Sequence, residues 1–234
     1  MAQEYRHMIK GTQKKICERS FANKLGKLAQ GIRGVKGENK GMFIPKYEFP
    51  KDKKVTYGKI VCEVKQEKEE KEKARLTVGG NLLDFTGNIS APTASVAMEK
   101  FVFNSVVSTP GARCLLADIK HFYLNNISPD PDFIHIPLKI IPQEIIDTYD
   151  FKALVDDQGW IYMRIEKGMY GLKYAGIIAN QELVKNMATF GYHTVKHTPN
   201  LWQKTFSSLV VDNFCVQYCS TEDADHFLNS LRSK

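Results

Sequence analysis

Ser208-Leu-Val-Val-Asp-Asn-Phe-Cys-Val-Gln-Tyr218 reads as two short apolar strands around a polar pair, and this hairpin decides the fold class. Valine, phenylalanine and tyrosine suit a pleated backbone, while Asp212-Asn213 tolerates the positive φ angles that a tight two-residue turn requires. Ser220-Thr-Glu-Asp223 then starts a helix: a hydroxyl cap and early acids complement its N-terminus, and Phe227, Leu228 and Leu231 give it an apolar face. A strand pair that feeds a helix needs a layered partner, so the rest of the chain must supply further strands and helices.

Upstream the pattern continues. Cys114-Leu-Leu-Ala-Asp118 is a short apolar run, expected to be a buried strand that ends on a carboxylate. Ala91 to Ser108 reads as a helix, with Ala94, Met98, Phe101, Val102 and Val106 at three- and four-residue spacing and Pro110-Gly111 to stop it. Strands are expected at Met42-Phe-Ile-Pro, Val55 to Val64, Ala74 to Val78, Ile134 to Leu138 and Trp160 to Glu166. Tyr174 to Phe190 reads as a helix ended by Gly191, behind the glycine-punctuated loop Gly168-Met-Tyr-Gly171. The order is α+β.

At 234 residues, 43% hydrophobic and 25% charged, the chain has the balance of a globular protein and not of a disordered or collagenous one. No apolar run approaches the roughly 18 residues needed to span a bilayer, and the start lacks a secretory signal, so a cytoplasmic or nuclear protein is expected. Five cysteines without a C-x-x-C pair suggest reduced thiols. The net charge of +7 is unevenly placed: residues 1–80 hold 20 Lys and Arg against 10 Asp and Glu, which leaves −3 for residues 81–234. Such a basic portion attracts polyanions, because each phosphate it neutralises releases a counterion. Residues 1–30 read as a basic helical linker segment, with Ile16, Phe21, Leu25 and Leu28 near one face, and the charge run 65–73 as a solvated hairpin tip.

Chemistry is expected where two features meet. Asp118 ends one apolar strand and Asp212 heads the hairpin turn; if the strands are neighbours, their carboxylates share one sheet edge. Paired carboxylates are the hard oxygen ligands that Mg²⁺ prefers, and two such ions can activate an attacking hydroxyl and stabilise a leaving pyrophosphate. The plainer alternative is that Asp118 caps a helix and Asp212 only turns the chain.

Three stretches, in order, carry a family resemblance: Leu116-Ala-Asp-Ile-Lys-His-Phe-Tyr-Leu-Asn-Asn126, Gly168-Met-Tyr-Gly-Leu-Lys-Tyr-Ala-Gly176 and Leu209-Val-Val-Asp-Asn-Phe214. Together they closely resemble the central motifs of copia-type retrotransposon reverse transcriptases. Ala74-Arg-Leu-Thr-Val-Gly-Gly, Phe43-Ile-Pro-Lys and Lys51-Asp-Lys-Lys-Val-Thr-Tyr extend the likeness over residues 30–234. The resemblance implies the fingers and palm of a right-hand polymerase over 31–234, truncated after the catalytic hairpin and without a thumb. It implies RNA-directed DNA synthesis on an RNA or DNA template-primer from deoxynucleoside triphosphates, with Asp118 and Asp212 holding two Mg²⁺ ions, and a parent polyprotein if the element is intact. Tyr123 matches the aromatic under the incoming sugar; a core aromatic is the bland alternative. Lys73 and Arg75 match cationic residues near the triphosphate, although a solvated hairpin arm explains them nearly as well.

The chain also departs from that family. Asn213 stands where relatives carry a second consecutive aspartate, so the catalytic group Asp118, Asp212 and Asn213 has two carboxylates and not three. Lys173-Tyr174 replaces a usual proline and glutamine, the latter a nucleotide contact; a lysine there could attract triphosphate and a tyrosine could stack. With the expected truncation, these changes imply a damaged copy that binds Mg²⁺ weakly and has little or no polymerase activity. The alternative is a non-catalytic nucleic-acid-binding remnant that uses the basic fingers, and a third is a fragment that does not fold. His193, His197, Cys215 and Cys219 form a weak zinc pattern broken by Gly191 and Pro199. Gly79-Gly80 and Asp156-Asp157 read as turns, and Trp160 and Trp202 as core or sheet-face aromatics.

Overall fold

The computed structural model describes residues 2–5, 14–64, 72–84, 87 and 89–233. It is mixed α+β, as the strand and helix order predicts, and it divides into two compact units: Met1–Thr86 with Ile127–Ala175, and Gly87–Asn126 with Gly176–Lys234.

The first unit is built on a six-stranded sheet. Its strands are β1 (Ala2–Glu4), β4 (Gly41–Ile44), β5 (Val55–Val64), β6 (Glu72–Val78), β8 (Ile127–Pro137) and β9 (Trp160–Lys167), in the order β1-β5-β8-β9-β4 with β6 also paired to β5. A small ribbon of β2 (Gly31–Ile32) and β3 (Val35–Lys36) lies apart from it. Every pairing is antiparallel except β5 with β8, where Val55, Thr56 and Tyr57 lie across from Phe133, Ile134 and His135. Alternation along β9 puts Ile161, Met163 and Ile165 in the core, each fully buried, and Trp160, Tyr162 and Arg164 on the opposite face.

The stretch read as a linker contributes helix α1 (Lys14–Leu28), whose Cys17, Phe21, Ala22, Leu25 and Leu28 are buried. It packs on β6, where the Ala74 N–H donates to Ser20 Oγ at 3.0 Å. A helix with one apolar stripe gains stability by covering a sheet, and here Ala74, Leu76 and Val78 of β6 are buried. The expected hairpin tip falls largely on residues 65–71, outside the described residues. Two backbone segments meet at the end of β6: the Val78 N–H donates to Tyr170 O at 2.7 Å, and Gly171 sits at φ +97° with its α-carbon facing Val78. A β-carbon on Gly171 would come within 2.1 Å of the Val78 carbonyl oxygen, so only glycine fits.

The second unit carries a four-stranded antiparallel sheet in the order β10 (Leu201–Trp202), β11 (Ser207–Val210), β12 (Asn213–Tyr218), β7 (Arg113–Asp118). Helices α5 (Ala175–Thr189) and α6 (Thr221–Arg232) supply Ala179, Leu183, Met187 and Phe227 to a core with Trp202, Leu209, Phe214 and Val216. Phe214 meets Phe227 edge-on at 5.0 Å between ring centres. Ser220 caps α6 by accepting the Asp223 N–H at 3.1 Å, as its sequence predicts. Helix α2 (Val96–Ser108), capped by Ser95, lies on the other face, where Val102 packs with Leu201 and Cys215. The short helices α3 (Gln143–Thr148) and α4 (Phe151–Leu154) belong to the first unit.

β7 corrects one expectation: it is an edge strand, and Cys114, Leu116 and Asp118 are exposed where a buried strand was predicted. Its apolar composition serves a single face. Leu115 and Ala117 pack against the core, while the alternate side chains remain open.

Candidate functional site

The β11–β12 hairpin forms, but one residue earlier than Asp212-Asn213 predicts. Val210 pairs with Asn213, so the two turn residues are Val211 and Asp212. The shift follows from the neighbouring strand: β12 extends to Asn213 because it pairs there with Asp118 of β7. Val211 is at φ +58° and Asp212 is not left-handed, which is the type II′ arrangement that normally takes glycine first. A β-branched residue at that φ costs about 1–2 kcal/mol. Three contacts hold the tip against this cost. The Val211 N–H donates to Thr93 Oγ1 at 3.3 Å, Asp212 O accepts from the Ile119 N–H at 2.8 Å, and Leu209 O accepts from the Ala94 N–H at 2.9 Å.

This turn sets the donor group. Asp118 and Asn213 are direct cross-strand partners, so their side chains project from the same sheet face, the face that carries Cys215 and α2. Asp212 is beside them at the tip, half-buried, and its Oδ1 accepts from Asn213 Nδ2 at 2.9 Å. Asp118 ends a strand and is not a helix cap; the chain after it passes through left-handed His121 (φ 60°) into a single 3₁₀ turn, Phe122–Leu124. That turn places Tyr123 in the same unit, half-buried, 5.3 Å from the Phe122 ring. Gly176, at the start of α5, lets the Tyr123 ring approach: a β-carbon there would lie 3.3 Å from Tyr123 Cε1.

Two carboxylates and an amide oxygen are a chemically sound donor set for Mg²⁺, which takes one or two protein carboxylates and completes its octahedron with water and substrate phosphates. The Asp212–Asn213 hydrogen bond works against it, since the amide occupies a carboxylate oxygen that a metal would use. Among the described residues no group of three or more His, Cys, Asp and Glu side chains is gathered to hold a metal ion. That includes His193, His197, Cys215 and Cys219.

The remaining predicted site residues belong to the first unit. Lys73 and Arg75 lie on β6 across from Glu63 and Val61, and Arg75 alternates with the buried Ala74 and Leu76. Lys173 is exposed in the turn before α5. Tyr174 is buried, and its hydroxyl donates to Asp132 and lies 3.1 Å from Ser128 Oγ. Burial, together with the Asp132 carboxylate, raises the phenol well above its ordinary range. Tyr174 thus ties the 168–174 loop to β8. Sequence reasoning did not find Asp132, whose carboxyl burial pushes upward, because its partner is 42 residues away. Nor did it find Thr93, whose role depends on the β11–β12 turn.

No protein-family model matches this chain, and no curated protein matches it.

Proposed function

We propose that the chain is a copia-type reverse transcriptase fragment, fingers and palm, whose nucleotidyl-transfer site is impaired. In this reading the first unit corresponds to the fingers and the second to the palm. The observation that carries it is the β7–β12 register, which sets Asp118 across from Asn213 with Asp212 adjacent at the tip. Two carboxylates at the end of one rigid sheet would hold Mg²⁺ on the phosphates of a deoxynucleoside triphosphate. The sheet's own contribution is to orient the oxygens before substrate arrives, and Tyr123 would lie under the sugar. Asp118 exposure leaves the donor group open to a primer and nucleotide. The missing third carboxylate lowers the charge available to the metal, and charge count sets how tightly oxygen ligands hold divalent cations.

Primer extension with Mg²⁺ or Mn²⁺, on a poly(rA)/oligo(dT) substrate, tests this. Little or no incorporation is expected from the natural chain, and a gain is expected from Asn213→Asp. Tyr174→Gln, the family's residue, is a poor companion change, because it removes the hydroxyl that Asp132 uses. Robust incorporation by the natural chain would overturn the impairment. No gain from a folded Asn213→Asp variant would remove the polymerase reading and favour a nucleic-acid-binding remnant, which the charge excess of residues 1–80 also supports.

A further inference from the structure

One face of the first unit's sheet carries a row of rings that the site above does not use. Tyr57 of β5 and His135 of β8 are register partners, and His135 stacks on Trp160 of β9 at 4.1 Å between ring centres with 14° between planes. The three side chains therefore cross three adjacent strands on a single face. Tyr57 is 41% exposed, and His135 and Trp160 are partly exposed. All three line one cavity of about 310 Å³, closed by Tyr5, Ile60, Pro137 and Ile140. Trp160 also borders a second cavity of about 680 Å³ between Pro137 and the 141–146 segment. Lys59 lines the first and Lys139 the second.

The opposite, buried face of the same strands is aliphatic: Ile134, Ile136, Ile161 and Met163. On the ring face Trp160 packs at the rim of a small core of Ile44, Phe133 and Tyr162, while Tyr57, His135 and Trp160 keep part of their ring surface open to the cavity. Rings left partly bare on adjacent strands offer π-faces to a flat partner, and base-on-aromatic stacking is indifferent to base identity. The cavity volume is at the lower end of small-ligand sites, which suits one base and excludes the width of a duplex. The local charge suits a phosphodiester chain, since one lysine lines each cavity, Lys59 the first and Lys139 the second. Asp156, whose carboxylate accepts from the Tyr162 hydroxyl on this face at 3.1 Å, is already engaged. It also accepts from the Trp160 N–H at 2.9 Å and pairs with Lys46 at 3.2 Å.

We propose that Tyr57, His135 and Trp160 form a stacking site for an unpaired nucleobase of single-stranded nucleic acid, with Lys59 and Lys139 flanking its phosphates. The inference goes beyond the polymerase reading and does not rest on it, because none of these residues belongs to the Asp118–Asp212 group. Only an unpaired strand can offer a base face, because a duplex hides both faces of every internal base.

The full chain titrated with fluorescein-labelled oligo(dA), and with the same sequence as a duplex, tests the proposal through anisotropy and tryptophan emission. Tighter binding of the single strand is expected, with tryptophan emission quenched in step. Tyr57→Leu, an exposed position, is expected to weaken single-strand binding by roughly fivefold or more with an unchanged melting curve. Trp160→Phe should remove the quenching. Equal binding of duplex and single strand, unquenched emission on binding, or full affinity in Tyr57→Leu would each overturn the proposal, as would absence of binding. Quenching by a proline-rich peptide and not by oligo(dA) would overturn it as well, by assigning the row to a different partner.

Discussion

Asn213 lies directly across the β7–β12 ladder from Asp118, so the amide beside Asp212 shares a sheet face with the strand-end carboxylate. Putting an aspartate at 213 sets two like charges opposite each other, which costs about 0.2–1 kcal/mol without a counter-ion. Asn213→Asp should therefore melt below the natural chain in EDTA and regain stability in millimolar Mg²⁺ or Mn²⁺, while the natural chain responds less. Differential scanning fluorimetry across a metal titration reads this without any need for turnover.

Val211 at φ +58° is the costliest backbone position of the hairpin. Val211→Gly should stabilise the chain by about 1 kcal/mol, because glycine takes that conformation freely and valine does not. A raised urea midpoint with an unchanged slope is the expected result. An unchanged or lowered midpoint would mean that the valine side chain has packing worth as much as the strain.

Asp132 gives a pH signature. Burial holds its carboxyl above the ordinary 3.8, and the Tyr174 hydroxyl offsets this only in part. A group whose folded pKa is raised contributes stability below its unfolded pKa and loses it as pH rises through the folded value. Relative to Asp132→Asn, the natural chain should therefore lose stability as pH climbs from about 4 toward 7. Melting points of the two proteins across that window should diverge in the variant's favour.

His135 titrates in the opposite sense. Burial against Trp160 pushes its imidazole below the ordinary 6.5, although Asp156 pulls the other way. The native state prefers the neutral ring, so stability is full above 6.5 and falls as pH drops through the folded value. Trp160 emission should change with a midpoint below 6.5, because a charged imidazolium forms against the indole. His135→Gln should remove that transition.

Much of this architecture is legible in the residues, for reasons that are local. The alternation of Ile161, Met163 and Ile165 marks β9, and the Ser220 cap marks the start of α6; both depend only on neighbours in sequence. The hairpin shows the limit. Asp212-Asn213 has the better turn chemistry, yet the turn sits on Val211-Asp212, because pairing with β7 and the hydrogen bond to Thr93 outweigh the intrinsic preference. Leu116 shows another: an apolar run predicts burial, but the strand lies at a sheet edge and leaves this leucine 70% exposed. Tyr174 had a nucleotide-facing expectation from its place in the motif. Its buried contact with Asp132 could be seen only once the 168–174 loop was set beside β8.

The parallel pairing of β5 with β8 bears on how the protein can be made. Val55 must find Phe133, 78 residues later, and the whole of Gly87–Asn126, which belongs to the other unit, is synthesised in between. At ribosomal rates that is a wait of roughly 4 to 16 s. During it β5 has no β8 to pair with, and closing so long a loop is slow compared with forming a hairpin. Each unit is also discontinuous, so a single proteolytic cut cannot release either one intact. The nascent chain thus carries an unpaired strand edge through much of its synthesis, and its yield on expression is expected to rise with chaperone supply.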